Sequence, residues 1–216
     1  MARVVKSRFI QGPAGRLESL HEEPDEGARL DRAVVVCHPH PLYGGTLHNK
    51  VVFRLARAGR RAHSAVLRFN FRGVGQSTGS YDEGEGEQDD LRAALAYMND
   101  QYPGLPLLVA GFSFGARVAL RLACRDSRIE RIVAVGTPVF KHDWTHLARC
   151  GCAQIFLHST NDEYGPRDAM ESVFAVASEP KRINWIESRD HFFSDNLDGL
   201  EEAAYEAIRT PVTTAT

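Results

Sequence analysis

Three runs of this chain, Ala33 to Cys37, Ala65 to Phe71 and Leu107 to Phe112, are apolar almost without interruption. A strand with one wet face alternates apolar and polar residues, so strands without alternation are covered on both faces. Stretches of helical periodicity separate them: Lys50 to Ala58, with Gly59 expected as its C-terminal stop, and Asp89 to Met98, where Leu91, Leu95 and Met98 recur at helical spacing. Strands and helices in alternation predict a largely parallel sheet with helices on both faces.

The same alternation runs on to the end. Ala116 to Cys124, Arg167 to Ala177 and Leu197 to Ile208 read as helices, and Ile132 to Val135, Ile155 to Leu157 and Ile183 to Ile186 as strands. At the start, Arg3 to Ile10 and Leu17 to Leu20 flank Gly12-Pro13-Ala14-Gly15, the signature of a hairpin closed by a short turn. The expectation is an α/β fold with an eight-stranded, mostly parallel sheet whose second strand is antiparallel. Residues 1–216 read as a single domain, with 210–216 a frayed tail.

Composition excludes several function classes. The 26 basic and 28 acidic residues give a formal charge of -2, and the basic residues are scattered, so nucleic acid is not an expected partner. No apolar run approaches the roughly 20 residues that span a bilayer. Arg3, Lys6 and Arg8 interrupt the apolar residues of the amino terminus before a signal sequence could form, which points to a cytoplasmic protein with no membrane partner. Cys37, Cys124, Cys150 and Cys152 are too few for a disulfide scaffold and read as thiols. Asp82 to Asp90, DEGEGEQDD, reads as a solvated acidic loop leading into a helix.

The segment that carries chemistry is Gly111-Phe112-Ser113-Phe114-Gly115. It follows a buried strand, LPLLVAG, and opens a helix, ARVALRLA, so Ser113 falls on a sharp strand-to-helix turn where glycines admit close backbone approach. A serine hydroxyl is a weak nucleophile and requires a base and an orienting acid. His191 follows the last strand in ESRDHFF, and Asp162 follows the preceding strand in LHSTNDEYGP, both just beyond the carboxyl ends where open α/β sheets build their sites. Asp162 is favoured over the adjacent Glu163 for its shorter arm and its place nearer the strand end. The other histidines fall inside a strand (His158), at the periphery (His21, His63), or in the loop after the first buried strand.

That loop, His38-Pro39-His40-Pro41-Leu42-Tyr43-Gly44-Gly45, is expected to aim a backbone donor at a developing oxyanion, alongside the N–H of Phe114. Pro39 and Pro41 have no N–H, which leaves His40, with Leu42 as the fallback. Leu42, Tyr43 and Phe112 are expected to contact the substrate. Gly73, Gly75 and Gly79 do not have dinucleotide-fingerprint spacing, and His142-Asp143-Trp144-Thr145-His146 lacks the glutamate of a zinc helix. Neither a cofactor nor a metal is expected.

Taken together, HPHPLYGGTLHNK, FNFRGVGQSTGSYDEGEGEQDDLRAAL, GFSFGARVAL, the HSTND loop and RDHFF resemble the small, lidless hydrolases of the α/β-hydrolase superfamily related to dienelactone hydrolases. The resemblance covers nearly the whole chain. It implies that Ser113, Asp162 and His191 form the triad, that 38–45 is the oxyanion loop, and that 72–77 is a structural turn lining the site. Dienelactone hydrolases proper use cysteine where this chain has Ser113, so their lactone substrate does not carry over. Only Val139 to Gly151 separates the sixth strand from the seventh, too little for a cap. The expected activity is therefore cleavage of small soluble esters or thioesters through an acyl-enzyme, as in a carboxylesterase. A peptidase or lyase with the same triad, or a noncatalytic binding module on the same fold, is the alternative.

Overall fold

The computed structural model describes residues 4–24, 27–140 and 142–210; the tail 211–216 lies outside them. One eight-stranded sheet organises these residues. Its strands are β1 (Val4–Gly12), β2 (Gly15–Glu23), β3 (Arg32–Cys37), β4 (Ser64–Phe69), β5 (Leu107–Phe112), β6 (Ile129–Val135), β7 (Ala153–Ser159) and β8 (Lys181–Ile186), in the spatial order β1-β2-β4-β3-β5-β6-β7-β8. Pro13 and Ala14 close the first hairpin, and β2 runs antiparallel to both its neighbours. All other pairings are parallel. This is the α/β-hydrolase fold, and its parallel strands bring the loops that follow them to the same sheet edge.

The apolar runs are explained by two cores. On β3, Ala33, Val35 and Cys37 face one layer, packed with Leu91 and Leu95 of α2 (Gly86–Gln101) and Val118 and Leu122 of α3 (Phe114–Ala123). Val34 and Val36 face the other, packed with Val52 and Leu55 of α1 (Lys50–Arg61) and Leu200 and Ala204 of α5 (Leu197–Arg209). Helix α4 (Arg167–Val176) joins the first layer through Met170 and Val173. With both faces dry, every residue of such a strand must be apolar, and each fully buried valine contributes about 1.5–3 kcal/mol. No helix among the described residues is long and apolar enough to cross a membrane.

Four details depart from the sequence reading. Helix α1 does not stop at Gly59 but continues to Arg61 and ends where His63 takes φ 52°. Gly59 is there for packing: a Cβ would stand 2.8 Å from Val66 Cγ2 on the sheet. The acidic run is not wholly solvated, because Glu87 and Asp90 are fully buried. Glu87 accepts the N–H groups of Asp82 and Gly84 at 2.9 and 2.8 Å, and Asp90 accepts three bonds from Arg72, its N–H at 2.9 Å and its guanidinium at 3.0 and 2.8 Å. His21 is not peripheral but buried, with its ring nitrogens on the hydroxyls of Tyr97 and Tyr102 at 3.2 and 2.6 Å. Finally, Cys124 and Cys150 form a disulfide, while Cys37 and Cys152 are buried thiols. The pair joins the end of α3 to the β6–β7 connection, a meeting that depends on tertiary structure and leaves no mark in sequence spacing.

The β6–β7 connection contains one 3-10 turn, Thr145–Arg149. The described residues of this short connection build no second layer above the sheet edge.

Candidate functional site

Ser113 sits between the last residue of β5 and the first of α3 at φ 54° and ψ -116°. Such a conformation costs a non-glycine residue about 1–3 kcal/mol and persists only where the surroundings fix it. They do so here: Ser113 N–H donates to Val135 O at 2.9 Å, and Arg117 N–H donates to Ser113 O at 3.1 Å. The flanking glycines are sterically required, since a Cβ at Gly111 would lie 2.4 Å from Gly115 O and one at Gly115 would lie 2.5 Å from Cys37 O. Tight turning pushes the serine side chain out over the sheet edge.

Asp162 lies in the loop after β7. Its Oδ1 accepts the N–H groups of Tyr164 and Gly165 at 2.8 and 3.1 Å, which aims Oδ2 at His191 Nδ1, 2.7 Å away. Both side chains are buried. Burial pushes the Asp162 carboxyl up, but the hydrogen bond and charge of His191, the His158 imidazole and the Tyr164 N–H outweigh it and hold the group below its ordinary range. The neighbouring carboxylates are engaged elsewhere. Glu163 accepts the backbone N–H of His191 at 3.0 Å, and Asp190 accepts those of Phe192 and Ser194 at 3.0 and 3.1 Å.

The His191 ring is fixed on three sides. Phe112 stacks beneath it at 5.0 Å, Tyr164 lies against it at 4.7 Å, and Phe192 meets it edge-on at 5.2 Å. A Cβ at Gly136 would come within 3.0 Å of its Cε1, so the β6 end must be glycine for the ring to lie where it does.

Across the edge stands the loop after β3. His38 is buried, with Nδ1 donating to Pro39 O at 2.6 Å and Nε2 accepting Phe71 N–H at 3.0 Å, and its burial pulls the imidazole down to about 4. His40 O accepts the N–H groups of Tyr43 and Gly45 at 3.1 and 3.0 Å. A Cβ at Gly45 would stand 2.1 Å from Pro39 O, which makes the glycine part of the loop's shape. Leu42 N–H is occupied, donating to His40 Nδ1 at 3.3 Å. The N–H groups of His40 and Phe114 enter no hydrogen bond with another described residue. Phe114 is the first residue of α3, where helix N–H groups have no partner within the helix.

A cavity of about 480 Å³ joins these parts, lined by Ser113, Phe114, His40 and His191. Of the residues expected at the substrate, Tyr43 lies on its rim, Leu42 points away with two thirds of its surface exposed, and Phe112 is buried beneath His191. Sequence reasoning missed Tyr81, Arg117, His142, Tyr164 and Phe192, which also line it. Arg117 was within reach of it, being one helical turn after Ser113. Tyr81 had no local signal: its hydroxyl meets His40 Nε2 at 3.3 Å across 41 residues of chain.

Known proteins share this fold. The family model described as alpha/beta hydrolase fold matches residues 33–150. An uncharacterized protein of Rickettsia prowazekii is 33% identical over 94% of this chain and 88% of its own length. The crystal structure of XC6422 from Xanthomonas campestris, a serine hydrolase without a lid, superposes with a TM-score of 0.87 at 32% identity, covering 95% of this chain and 94% of that one. An alpha-beta serine hydrolase homologue from Coxiella burnetii gives 0.87 at 34% identity over 93% and 96%. The strand order, the strained serine turn and these likenesses have one meaning: the chain belongs to the alpha/beta hydrolase fold family.

Proposed function

We propose that this protein is a serine hydrolase that cleaves small carboxylic esters or thioesters through an acyl-enzyme on Ser113. The observation that carries the reading is the buried 2.7 Å hydrogen bond between His191 Nδ1 and Asp162 on the wall of the cavity that Ser113 also lines. Asp162 is an acceptor only, so it fixes the proton of neutral His191 on Nδ1 and leaves Nε2 free to take the hydroxyl proton of Ser113. Attack on the acyl carbonyl then places negative charge on its oxygen, which the unpaired N–H groups of Phe114 and His40 stabilise. His191 returns the proton to the leaving group, and water, activated in the same way, releases the acid.

Two relatives described as serine hydrolases, each about a third identical over most of the chain, support the class. The open cavity, with no layer over it, supports small soluble substrates over long acyl chains. The test is hydrolysis of p-nitrophenyl esters from acetate to palmitate, with Ser113→Ala as control and fluorophosphonate labelling as an independent readout. Short-chain activity abolished by the substitution is the expected result. A well-folded protein that neither hydrolyses these esters nor takes the label is instead a binding module, and a protein preferring palmitate overturns the substrate size.

A further inference from the structure

Arg117, Arg121 and Arg125 stand four residues apart along α3 and its end, so they rise one above the next on one face, beginning one turn beyond Ser113. A depression of about 250 Å³ runs beside them, floored by Trp144 and closed by His142 and His146. It shares Arg117 and His142 with the site cavity. A second depression of about 400 Å³ extends it, sharing Arg125 and His146 and reaching Arg149. Together they make a continuous trough leading away from Ser113.

The trough is cationic and under-compensated. Arg121 pairs with Glu85 at 2.6 Å, and the Asp143 carboxylate is taken by the N–H and hydroxyl of Thr145 at 2.9 and 3.0 Å. Arg117 donates only to the Glu83 carbonyl, at 2.8 Å, and lies over the Phe114 ring. No described carboxylate comes within 4.0 Å of Arg117, Arg125 or Arg149. His146 Nε2 is buried without a hydrogen-bond partner among the described residues. The arginines also pull the imidazoles of His142 and His146 below their ordinary range, after the larger effect of burial. Planar guanidinium groups so arranged suit the oxygens of phosphate.

Length decides what kind of molecule can use it. Helix α3, with Ser113 at its start, is 10 residues long, about 15 Å of rise, and Arg125 lies beyond its end. A short dicarboxylic half-ester with its carbonyl at Ser113 cannot span that distance. We propose, building on the serine hydrolase reading, that the trough holds the phosphorylated tail of the leaving group, so that the substrates are acyl esters or thioesters of long, phosphate-bearing alcohols or thiols. For a thioester, the carbonyl carbon forms a bond to Ser113 Oγ as its bond to sulfur breaks. The serine proton passes through His191 to the departing thiolate, and water then cleaves the serine ester to the free acid.

The test compares butyryl-coenzyme A with butyryl-N-acetylcysteamine, the same thioester without the phosphorylated tail, on the native protein and on Arg125→Glu/Arg149→Glu. Both altered residues are exposed and outside the triad. The expected result is a kcat/KM at least 30-fold higher for the coenzyme A thioester, reduced at least 10-fold by charge reversal and weakened by salt, with the short thioester unaffected. Equal kcat/KM for the two thioesters, or a preference that survives charge reversal, overturns the proposal. Calorimetric binding of free coenzyme A separates this from failure of the hydrolase reading. Should neither thioester be cleaved, coenzyme A binding that the charge-reversed variant loses upholds the trough, and no binding overturns it. Inorganic pyrophosphate binding as tightly as coenzyme A also overturns it, since the trough would then hold an adventitious ion only.

Discussion

Replacing Asp162 by asparagine changes one atom in the proposed relay and leaves its shape intact. Asparagine Oδ1 can go on accepting from Tyr164 and Gly165, at 2.8 and 3.1 Å in the parent, which turns the amide nitrogen toward His191 Nδ1 at 2.7 Å. An amide N–H donates, so Nδ1 must become the acceptor and the single ring proton moves to Nε2. That is the nitrogen required to accept from Ser113. Forcing this tautomer in a Ser-His-Asp triad costs about 10⁴ in kcat, which is about 5.5 kcal/mol of transition-state stabilisation. Steady-state hydrolysis of p-nitrophenyl acetate at pH 7.5, corrected for the Ser113→Ala background, measures it. Glu163→Gln is the paired control. Its carboxylate meets only the backbone N–H of His191, and the glutamine amide oxygen can go on accepting it, so the loss should stay under about 10-fold, within the worth of one ordinary hydrogen bond. An Asp162→Asn enzyme retaining a tenth of its activity, or a Glu163→Gln enzyme falling as far, refutes the assignment.

Two further predictions concern stability. His38 falls to about 4 in the folded chain from about 6.5 when unfolded, so between these values the unfolded chain holds more protons. Its contribution, roughly 3 kcal/mol, is complete above pH 6.5 and fades as pH falls toward 4; an NMR titration that finds the ring protonating near 6.5 contradicts this. Asp90→Ala strands the half-buried Arg72 guanidinium and should cost about 3–5 kcal/mol in urea unfolding, and a loss under 1 kcal/mol would mean that water replaces the carboxylate freely.

The parts of the fold readable in advance were those written in neighbouring residues. Unbroken runs such as Val34-Val35-Val36 declare a strand dry on both faces, and the glycines around Ser113 declare a turn too tight for side chains. Strand ends similarly located Asp162 and His191. The parts that were not readable depend on residues far apart in sequence. Asp90 looks solvated until Arg72, 18 residues away, closes on it. Gly59 looks like a helix stop until Val66 is seen pressing on it. Cys124 and Cys150 have no local reason to pair, and Tyr81 and Tyr164 become neighbours of Arg117 only when two separate loops and helix α3 meet at one sheet edge. Leu42 misled for a related reason, because adjacent residues of a 3-10 turn point in different directions and only Tyr43 turns toward the cavity.

The brevity of the β6–β7 connection has a kinetic side. Tyr43 at the rim is largely exposed and Tyr164 and Phe192 about half exposed, and no second layer of described residues lies across them. Enzymes that close over a substrate are often held to the pace of reopening. In the proposed mechanism the acyl group on Ser113 faces an open cavity, so departure of the first product and arrival of water need no such opening step. Alcohols and amines compete there against water itself, with no dry interval in which to prevail. In the proposed mechanism this openness favours hydrolysis of the acyl group over its transfer, and it leaves turnover to chemistry on the serine and not to the motion of a cover.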